Sequence, residues 1–383
     1  MKKIYIIDFL TSLCFVSNVM NLYFQYIGNN FTQIGILFAI LQLSKFLFEM
    51  PTGFVADKYG RKTSLIIGII LQLVCYIIMG TTTNFYFQLL AMILLGCSYT
   101  FSTGTTSAIL VEMCENEHKD LLHVTTISWY IYYIAFGISS ILSGILISYS
   151  FSFIFILNIL SILSALFILM LLNSDVVSKK EEHFSGKELV LYLISNKMLY
   201  YFILVSFITD FVMMPVDSFY NNYLYTYFKF SYTSIGIIIA LQYILQGVVV
   251  YFSERVIIIL DKNIVIKYFP FITILIFFVF SMLDSPYLSV AIYIFGWMFF
   301  SLYIPVFDAE KQKYIVSKYR SSALSFESLL TAFGACFTKL LYGFLSDKIG
   351  IKYTTISFIF FAALALLGVV SYYSKRIMIE RSE

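Results

Sequence analysis

The chain has 383 residues, of which 60% are hydrophobic and only 12% are charged, and its mean hydropathy is +0.87. An ordinary soluble domain carries about a quarter charged residues, so this composition excludes a soluble globular protein. The net charge of +3 is small and scattered along the chain, which argues against a nucleic-acid partner.

Apolar runs long enough to cross a bilayer recur along the whole chain. A membrane-spanning helix needs about 20 mostly apolar residues, and lipid offers no partner for the unpaired backbone groups of open structures. The run lengths and their breaks predict an all-α integral membrane protein with about twelve transmembrane helices. The predicted spans are 4–27, 32–54, 63–82, 85–111, 125–148, 151–173, 199–224, 232–254, 264–283, 286–308, 322–345 and 354–374.

The segment 174–198 interrupts this pattern with clustered lysines and glutamates. It predicts a cytoplasmic linker between an N-terminal six-helix half, 1–173, and a C-terminal six-helix half, 199–383. Basic residues set the orientation, because cytoplasmic loops carry an excess of them. With both termini inside, 20 of the 25 fall in cytoplasmic segments, and the exceptions are Lys45, Lys229, Lys339, Lys348 and Lys352.

An internal repeat supports the division into halves. Residues 31–40 align with residues 232–241 at an offset of 201, and Asn21 matches Asn222 at the same offset. The second span therefore corresponds to the eighth, in the same orientation. Parallel repeats of this kind are a property of several transporter folds.

The joint between the second and third spans holds the densest group of special residues. It reads Gly53-Phe54-Val55-Ala56-Asp57-Lys58-Tyr59-Gly60-Arg61-Lys62, which predicts a short charged turn between two apolar runs. This order of glycines, aspartate and an Arg-Lys pair resembles the loop signature of the major facilitator superfamily of secondary transporters. The preceding Glu49-Met50-Pro51-Thr52 is similar to a bacterial branch of that superfamily.

The resemblance implies two parallel halves that rock about a site near the membrane midplane. It places Asp57 at the start of the eleventh helix, pairs Arg61 with an acidic neighbour and lets Gly53 bring two helices close. Gly53, Asp57, Gly60, Arg61 and Lys62 then form a gating loop that latches the cytoplasmic side shut. The alternative is a topology anchor, in which the basic residues only hold the loop inside.

Polar residues follow one face of the first and seventh spans. In the first span Asn18 and Gln25 are seven residues apart, with Asn21 between them on the same face. In the seventh span Asp210 and Asp217 are seven apart, and Asn221 follows one turn later. The resemblance places both helices at the central cavity, so these residues predict a substrate or proton pathway. The alternative for the amides is hydrogen bonding between helices.

Charged residues inside a membrane are costly and mark a function by default. Lys45 and Glu49 are four residues apart on the second span and predict an ion pair. The resemblance makes Lys45 and Glu327 a candidate bridge between the halves, and Lys339 a partner for Asp217.

Aromatic residues make up 19% of the chain, and several lie at the outer ends of the first and seventh spans. Most of them are expected in the belt at the membrane–water interface. They are Tyr23, Phe24, Tyr26, Phe219, Tyr220, Tyr223, Tyr225 and Tyr227.

The prediction is a multi-pass transporter of the cytoplasmic membrane that exports a small amphipathic or lipophilic compound in exchange for protons. Uptake of a nutrient or metabolite is the alternative with the same fold, and a non-transporting sensor or scaffold is a remote one. Exporters of the superfamily often carry an arginine about three residues before a glycine in the fourth span, where this chain has Ile93 before Gly96. No enzyme, cofactor or metal signature is present, and we expect the lipid bilayer, a small-molecule substrate and protons as partners of a monomer.

Overall fold

The computed structural model describes residues 2–117, 121–171, 192–193, 195–259, 262–315 and 320–380. Regular structure in these ranges is entirely helical, and twelve segments are long and apolar enough to cross a membrane. The predicted fold class is therefore confirmed, while the orientation of the termini stays a prediction. The spans are Tyr5–Tyr26, Phe31–Glu49, Arg61–Thr81, Phe85–Ser102, Tyr130–Ile147, Phe151–Met170, Lys197–Thr226, Tyr232–Phe252, Ile264–Met282, Pro286–Asp308, Phe326–Ile349 and Ile351–Val369.

Several helices continue beyond the apolar part of their span. The helix of the second span reaches Tyr59, that of the tenth reaches Lys313, and that of the twelfth reaches Glu380. The complete helices are Lys2–Ser12, Met20–Tyr26, Phe31–Tyr59, Arg61–Thr81, Phe85–Glu117, Leu121–Ile147, Phe151–Met170, Lys197–Thr226, Tyr232–Ile259, Lys262–Met282, Pro286–Lys313, Arg320–Ile349 and Ile351–Glu380.

The chain divides into two compact units. Unit 1 contains Met1–Glu181 and Asn221–Gly247, and unit 2 contains Glu182–Tyr220 and Val248–Glu383. The seventh span thus contributes its first part to unit 2 and its last residues to unit 1. The predicted halves 1–173 and 199–383 stay a prediction, and most of the predicted linker 174–198 lies outside the described residues.

The first span predicted at 4–27 is confirmed as Tyr5–Tyr26, but it is not one continuous helix. Helices Lys2–Ser12 and Met20–Tyr26 flank a short 3-10 turn, Ser17–Val19. In unit 1 the span packs against the fifth and sixth spans, whose side chains supply hydrogen bonds at the break. The Ser143 hydroxyl donates to the Phe15 carbonyl at 2.8 Å, and Asn158 Oδ1 accepts from the Val16 amide at 3.3 Å. Irregular backbone is tolerated at membrane depth when such partners satisfy it.

The joint between the second and third spans is one residue long. The second helix runs through Pro51 to Tyr59, and the third begins at Arg61. Gly60 connects them with φ +89°, a left-handed conformation that glycine adopts without steric cost. The prediction of a turn across the whole of Gly53–Lys62 is therefore wrong, because helical hydrogen bonding continues through its first seven residues.

Unit 2 contains an apolar cavity of about 440 Å³ between the seventh, eleventh and twelfth spans. Phe207, Leu341, Phe358 and Ala362 are among the residues that line it. The seventh span remains a single helix from Lys197 to Thr226, although Pro215 lies within it.

Candidate substrate and proton pathway

The gating-loop residues lie on two helices. Gly53 and Asp57 are in the last turns of the second-span helix, Gly60 is the joint, and the third-span helix begins with Arg61 and Lys62. Lys62 Nζ donates to the Met170 carbonyl at 3.2 Å, which ties the start of the third span to the end of the sixth within unit 1. A Cβ built on Gly53 has no described atom within 4 Å, so the described neighbours show no close helix contact there. The Asp57 side chain lies outside the described residues, and its role as a latch stays a prediction.

The polar residues of the first span meet the last residues of the seventh span in a buried amide cluster. Asn221 Nδ2 donates to the Asn18 carbonyl at 2.7 Å and to Asn21 Oδ1 at 3.1 Å. Asn222 Nδ2 donates to the Asn21 carbonyl at 3.1 Å and to Gln25 Oε1 at 2.8 Å. We define the amide cluster as Asn18, Asn21, Gln25, Asn221, Asn222 and Thr226.

Two contacts in the amide cluster join residues that the internal repeat relates. Asn222 bonds Asn21, and Gln25 Nε2 donates to Thr226 Oγ1 at 3.1 Å; both pairs are 201 positions apart, which is the repeat offset. Repeat-related residues touch each other only near the axis that relates the repeats, as in an isologous contact. The amide cluster therefore joins repeat-equivalent positions of the first and seventh spans within unit 1.

The amides of the cluster bond to protein and not to an open path. Asn18, Asn21 and Asn221 are all less than a tenth exposed. Asn18 Nδ2 also donates to Ser139 and Ser140 of the fifth span, at 3.0 and 2.8 Å. In this conformation the amides hold helices together, and their place in a solute pathway stays a prediction. Sequence reasoning matched Asn222 to Asn21 but did not select it as a site residue.

Two glycines bring the fifth and eighth spans into backbone contact beside the amide cluster. A Cβ built on Gly144 would lie 2.8 Å from Gly236 Cα, closer than real Cβ atoms approach. The Thr233 hydroxyl donates to the Gly144 carbonyl at 3.3 Å. Small residues permit such close helix packing in membranes. The first, fifth and eighth spans and the end of the seventh are thus joined at one end of unit 1.

Asp217 is the carboxylate of unit 2 that best fits a proton or solute site. Its side chain keeps exposed surface although it lies within a membrane span. The Tyr293 hydroxyl donates to Asp217 Oδ1 at 3.2 Å. Lys339, buried on the eleventh span, acts on Asp217 electrostatically, in agreement with the predicted neighbourhood.

Asp210 lies two turns before Asp217, near a second group of charges. Thr331 Oγ1 donates to Asp210 Oδ2 at 3.4 Å, a long and therefore weak hydrogen bond. One turn before Thr331 on the helix of the eleventh span, Glu327 binds Lys311 Nζ at 2.8 Å. Asp308 binds the same lysine at 2.9 Å.

Glu327 thus has a partner within unit 2 that the sequence did not indicate, and the bridge from Lys45 to Glu327 stays a prediction. Lys311 was missed because it lies beyond the tenth apolar run, where a lysine was interpreted as a cytoplasmic loop residue. Burial lowers the pKa of Lys311, but the carboxylates of Asp308 and Glu327 more than offset this, so its pKa is raised. Lys311 therefore stays protonated and pairs with both carboxylates.

Lys45 has an aromatic neighbour that the sequence did not indicate. Its Nζ lies 4.6 Å from the centroid of the Tyr99 ring, a cation–π contact between the second and fourth spans. Glu49 acts on Lys45 electrostatically, but no direct ion pair joins the two among the described side chains. The two groups therefore interact at longer range on one helix face, and their role as an intramembrane ion pair stays a prediction.

The aromatic residues at these helix ends are mostly core residues and not an interface belt. Five of the eight are at most 5% exposed, so they pack within the protein. Only Tyr26, Tyr225 and Tyr227 are exposed to the extent that a belt requires. The buried ones are Tyr23, Phe24, Phe219, Tyr220 and Tyr223.

Twelve candidate membrane spans, an internal repeat and carboxylates within the seventh span are features of membrane transporters. The family model of the Major Facilitator Superfamily matches residues 4–326. The chain therefore belongs to the major facilitator superfamily and is a transport protein, not an enzyme.

Known proteins agree with this assignment. The chain is 22% identical over 361 residues to YxaM, an uncharacterized MFS-type transporter of Bacillus subtilis, covering 90% of this chain and 87% of the relative. The nucleoside transporter NupG, as its D323A mutant, superposes with a TM-score of 0.82 at 14% identity, covering 96% and 98% of the two chains. A bacterial homologue of the human lysosomal transporter Spinster, inward-facing and unoccupied, gives 0.74 at 12% identity, covering 97% and 96%. At these identities the solved structures show the fold alone.

Proposed function

We propose that this protein is a proton-coupled transporter of a small solute and that Asp217 is its proton-binding residue. The observation that carries the proposal is an exposed carboxylate at membrane depth with a hydrogen-bond donor and a lysine beside it. A charged group in a span is costly unless it has a function. Asp210 is a secondary candidate, since other charges and the Thr331 hydroxyl already surround it.

Transport would proceed by alternating access in the cytoplasmic membrane, with the halves 1–173 and 199–383 of a monomer rocking about a midplane site. The amide cluster supports this mechanism, because its hydrogen bonds hold the first span to the end of the seventh within unit 1. Asn221 is one helical turn from Asp217 on the same helix. Proton binding at Asp217 would thus act on the helix that carries the closing amides.

Export of an amphipathic or lipophilic compound is the direction that we favour. Aromatic side chains surround the Asp217 region, and the apolar cavity of unit 2 lies beside the same helix. Uptake of a metabolite is the second candidate. The superposition on a nucleoside transporter favours it, although at 14% identity that likeness concerns the fold.

The test uses inverted, energised membrane vesicles with a pH-reporting dye and the Asp217→Asn variant. Lipophilic cations, antibiotics and common metabolites are added one at a time. We expect at least one compound to dissipate the proton gradient in wild-type vesicles and to have no effect with Asp217→Asn. The matched control is Asp284→Asn, which changes an aspartate between the ninth and tenth spans that is 76% exposed and paired with Lys352.

A response that survives in Asp217→Asn at the wild-type level would refute the proton role of Asp217. A panel without any response in wild-type vesicles would contradict export. Uptake would then be measured as the entry of labelled metabolites into intact cells, where the same two variants separate the effect of Asp217 from a general loss of protein.

A further inference from the structure

We infer that Tyr293 is the positioning residue for Asp217: its hydroxyl holds the carboxylate and sets the strength with which Asp217 retains a proton. This inference rests on the proposed function, because it assigns a role to a second residue of the same proton site.

Tyr293, on the tenth span, contacts the seventh span at two points. Its hydroxyl donates to Asp217 Oδ1 at 3.2 Å, and its ring stacks on Tyr220 with centroids 3.5 Å apart and planes inclined by 11°. Asp217 and Tyr220 are three residues apart and are therefore neighbours on the helix surface. The seventh helix cannot rotate and carry the carboxylate away from the hydroxyl without breaking the ring stack.

The ring of Tyr293 is itself fixed by its surroundings. The residue is fully buried, with Phe277 and Phe280 of the ninth span at centroid distances of 5.5 and 5.0 Å. Offset and edge contacts between aromatic rings favour definite orientations. The hydroxyl is therefore held at one position, next to a carboxylate that is otherwise exposed.

The hydroxyl changes the proton affinity of the carboxylate in a defined direction. A donor that bonds the charged form of a carboxylate stabilises that form against protonation. Among the described residues, Lys339 on the eleventh span is the charged neighbour that acts on Asp217 besides this hydroxyl. Removing the hydroxyl alone should let Asp217 keep its proton to a higher pH.

The substitution Tyr293→Phe removes the hydroxyl and keeps the ring stack. The readout is an infrared titration of the purified full-length protein in liposomes, which needs no transported substrate. The carboxylic C=O band of Asp217 is identified by its absence in Asp217→Asn. We expect its titration midpoint to rise by about one to two pH units in Tyr293→Phe, the shift that the loss of a hydrogen bond to a charged group produces.

The matched control is Tyr342→Phe. Tyr342 is also buried in unit 2 and packs on Phe219 of the seventh span, but its hydroxyl bonds Thr355 at 2.6 Å. We expect it to leave the Asp217 midpoint unchanged while lowering the thermal unfolding temperature about as much as Tyr293→Phe does.

The outcomes separate the two proposals. An unchanged midpoint in Tyr293→Phe, or an equal shift in Tyr342→Phe, would overturn the positioning role and leave the proton role of Asp217 standing. If Asp217→Asn removes no titrating band, the proposed proton site itself is wrong. If Tyr293→Phe does not fold, Tyr220→Leu provides the second test: it removes the ring stack that fixes the Tyr293 hydroxyl, so the midpoint should rise, and an unchanged midpoint would overturn the positioning role.

Discussion

The first and seventh spans occupy equivalent positions in the internal repeat but are built on different physical principles. The first is broken between Ser12 and Met20, and side chains of the fifth and sixth spans satisfy its backbone. The seventh is one continuous helix that carries two carboxylates, with an apolar cavity at its side. The first span is thus held by polar contacts at its break, while the seventh carries Asp210 and Asp217 on an unbroken helix.

This difference shows how equivalent helices of two repeats can take different roles. Hydrogen bonds to irregular backbone are lost if the helix moves, so the first span is suited to a fixed role. A continuous helix keeps its own backbone bonds during movement, and its side chains are free to respond to protons. Substitutions that remove one polar contact at a time test this division.

The largest effect is expected from Asn158→Ala, which removes the acceptor for the buried Val16 amide. An unsatisfied buried amide costs about 2 kcal/mol, so the free energy of unfolding should fall by roughly that amount. Thermal unfolding in detergent measures it. Ser164→Ala is the control, because that hydroxyl bonds only the Leu160 carbonyl of its own helix. Equal unfolding temperatures for the two variants would contradict the role of Asn158 in supporting the break.

A smaller effect is expected from Asn222→Ala in the amide cluster. The change removes two hydrogen bonds, but it also removes a buried Asn222 oxygen that has no partner, so the net cost should be about 1 kcal/mol. We expect that end of unit 1 to open more often. The readout is the labelling rate of a Thr226→Cys reporter by a membrane-impermeant maleimide added from outside, which should increase in the Asn222→Ala background.

The matched change for this experiment is Thr233→Ala, which removes one hydrogen bond to Gly144 outside the amide cluster. Its labelling rate should stay near that of the parent. An increase as large as that of Asn222→Ala would mean that general loosening of unit 1, and not the amide cluster, controls access.

The smallest effect on stability is expected from Asp210→Asn on the seventh span. Its bond to Thr331 is long, and the amide oxygen can still accept it, so the free energy of unfolding should change by less than about 0.5 kcal/mol. A loss as large as that of Asn158→Ala would erase the distinction between the two spans. Both variants can be compared in the same thermal unfolding series.

The sequence by itself determined the number of spans, the helical class and the superfamily. These properties depend on local features: the length of each apolar run must match the bilayer, and the charged joint at Gly53–Lys62 is read from ten consecutive residues. The repeat at an offset of 201 also marked Asn21 and Asn222 as equivalent, and the structure shows that they touch.

Only the tertiary structure decided which polar groups meet. No glycine or proline marks the break in the first span, whose amide partner Asn158 is 142 positions away. Glu327 binds Lys311, which lies beyond the tenth apolar run, and Asp217 is held by Tyr293, one aromatic residue within that run. In a membrane protein nearly every helix face is apolar, so helical periodicity leaves the packing partners undetermined. Which side chains meet depends on how the helices cross, and the sequence of a single span does not specify those crossings.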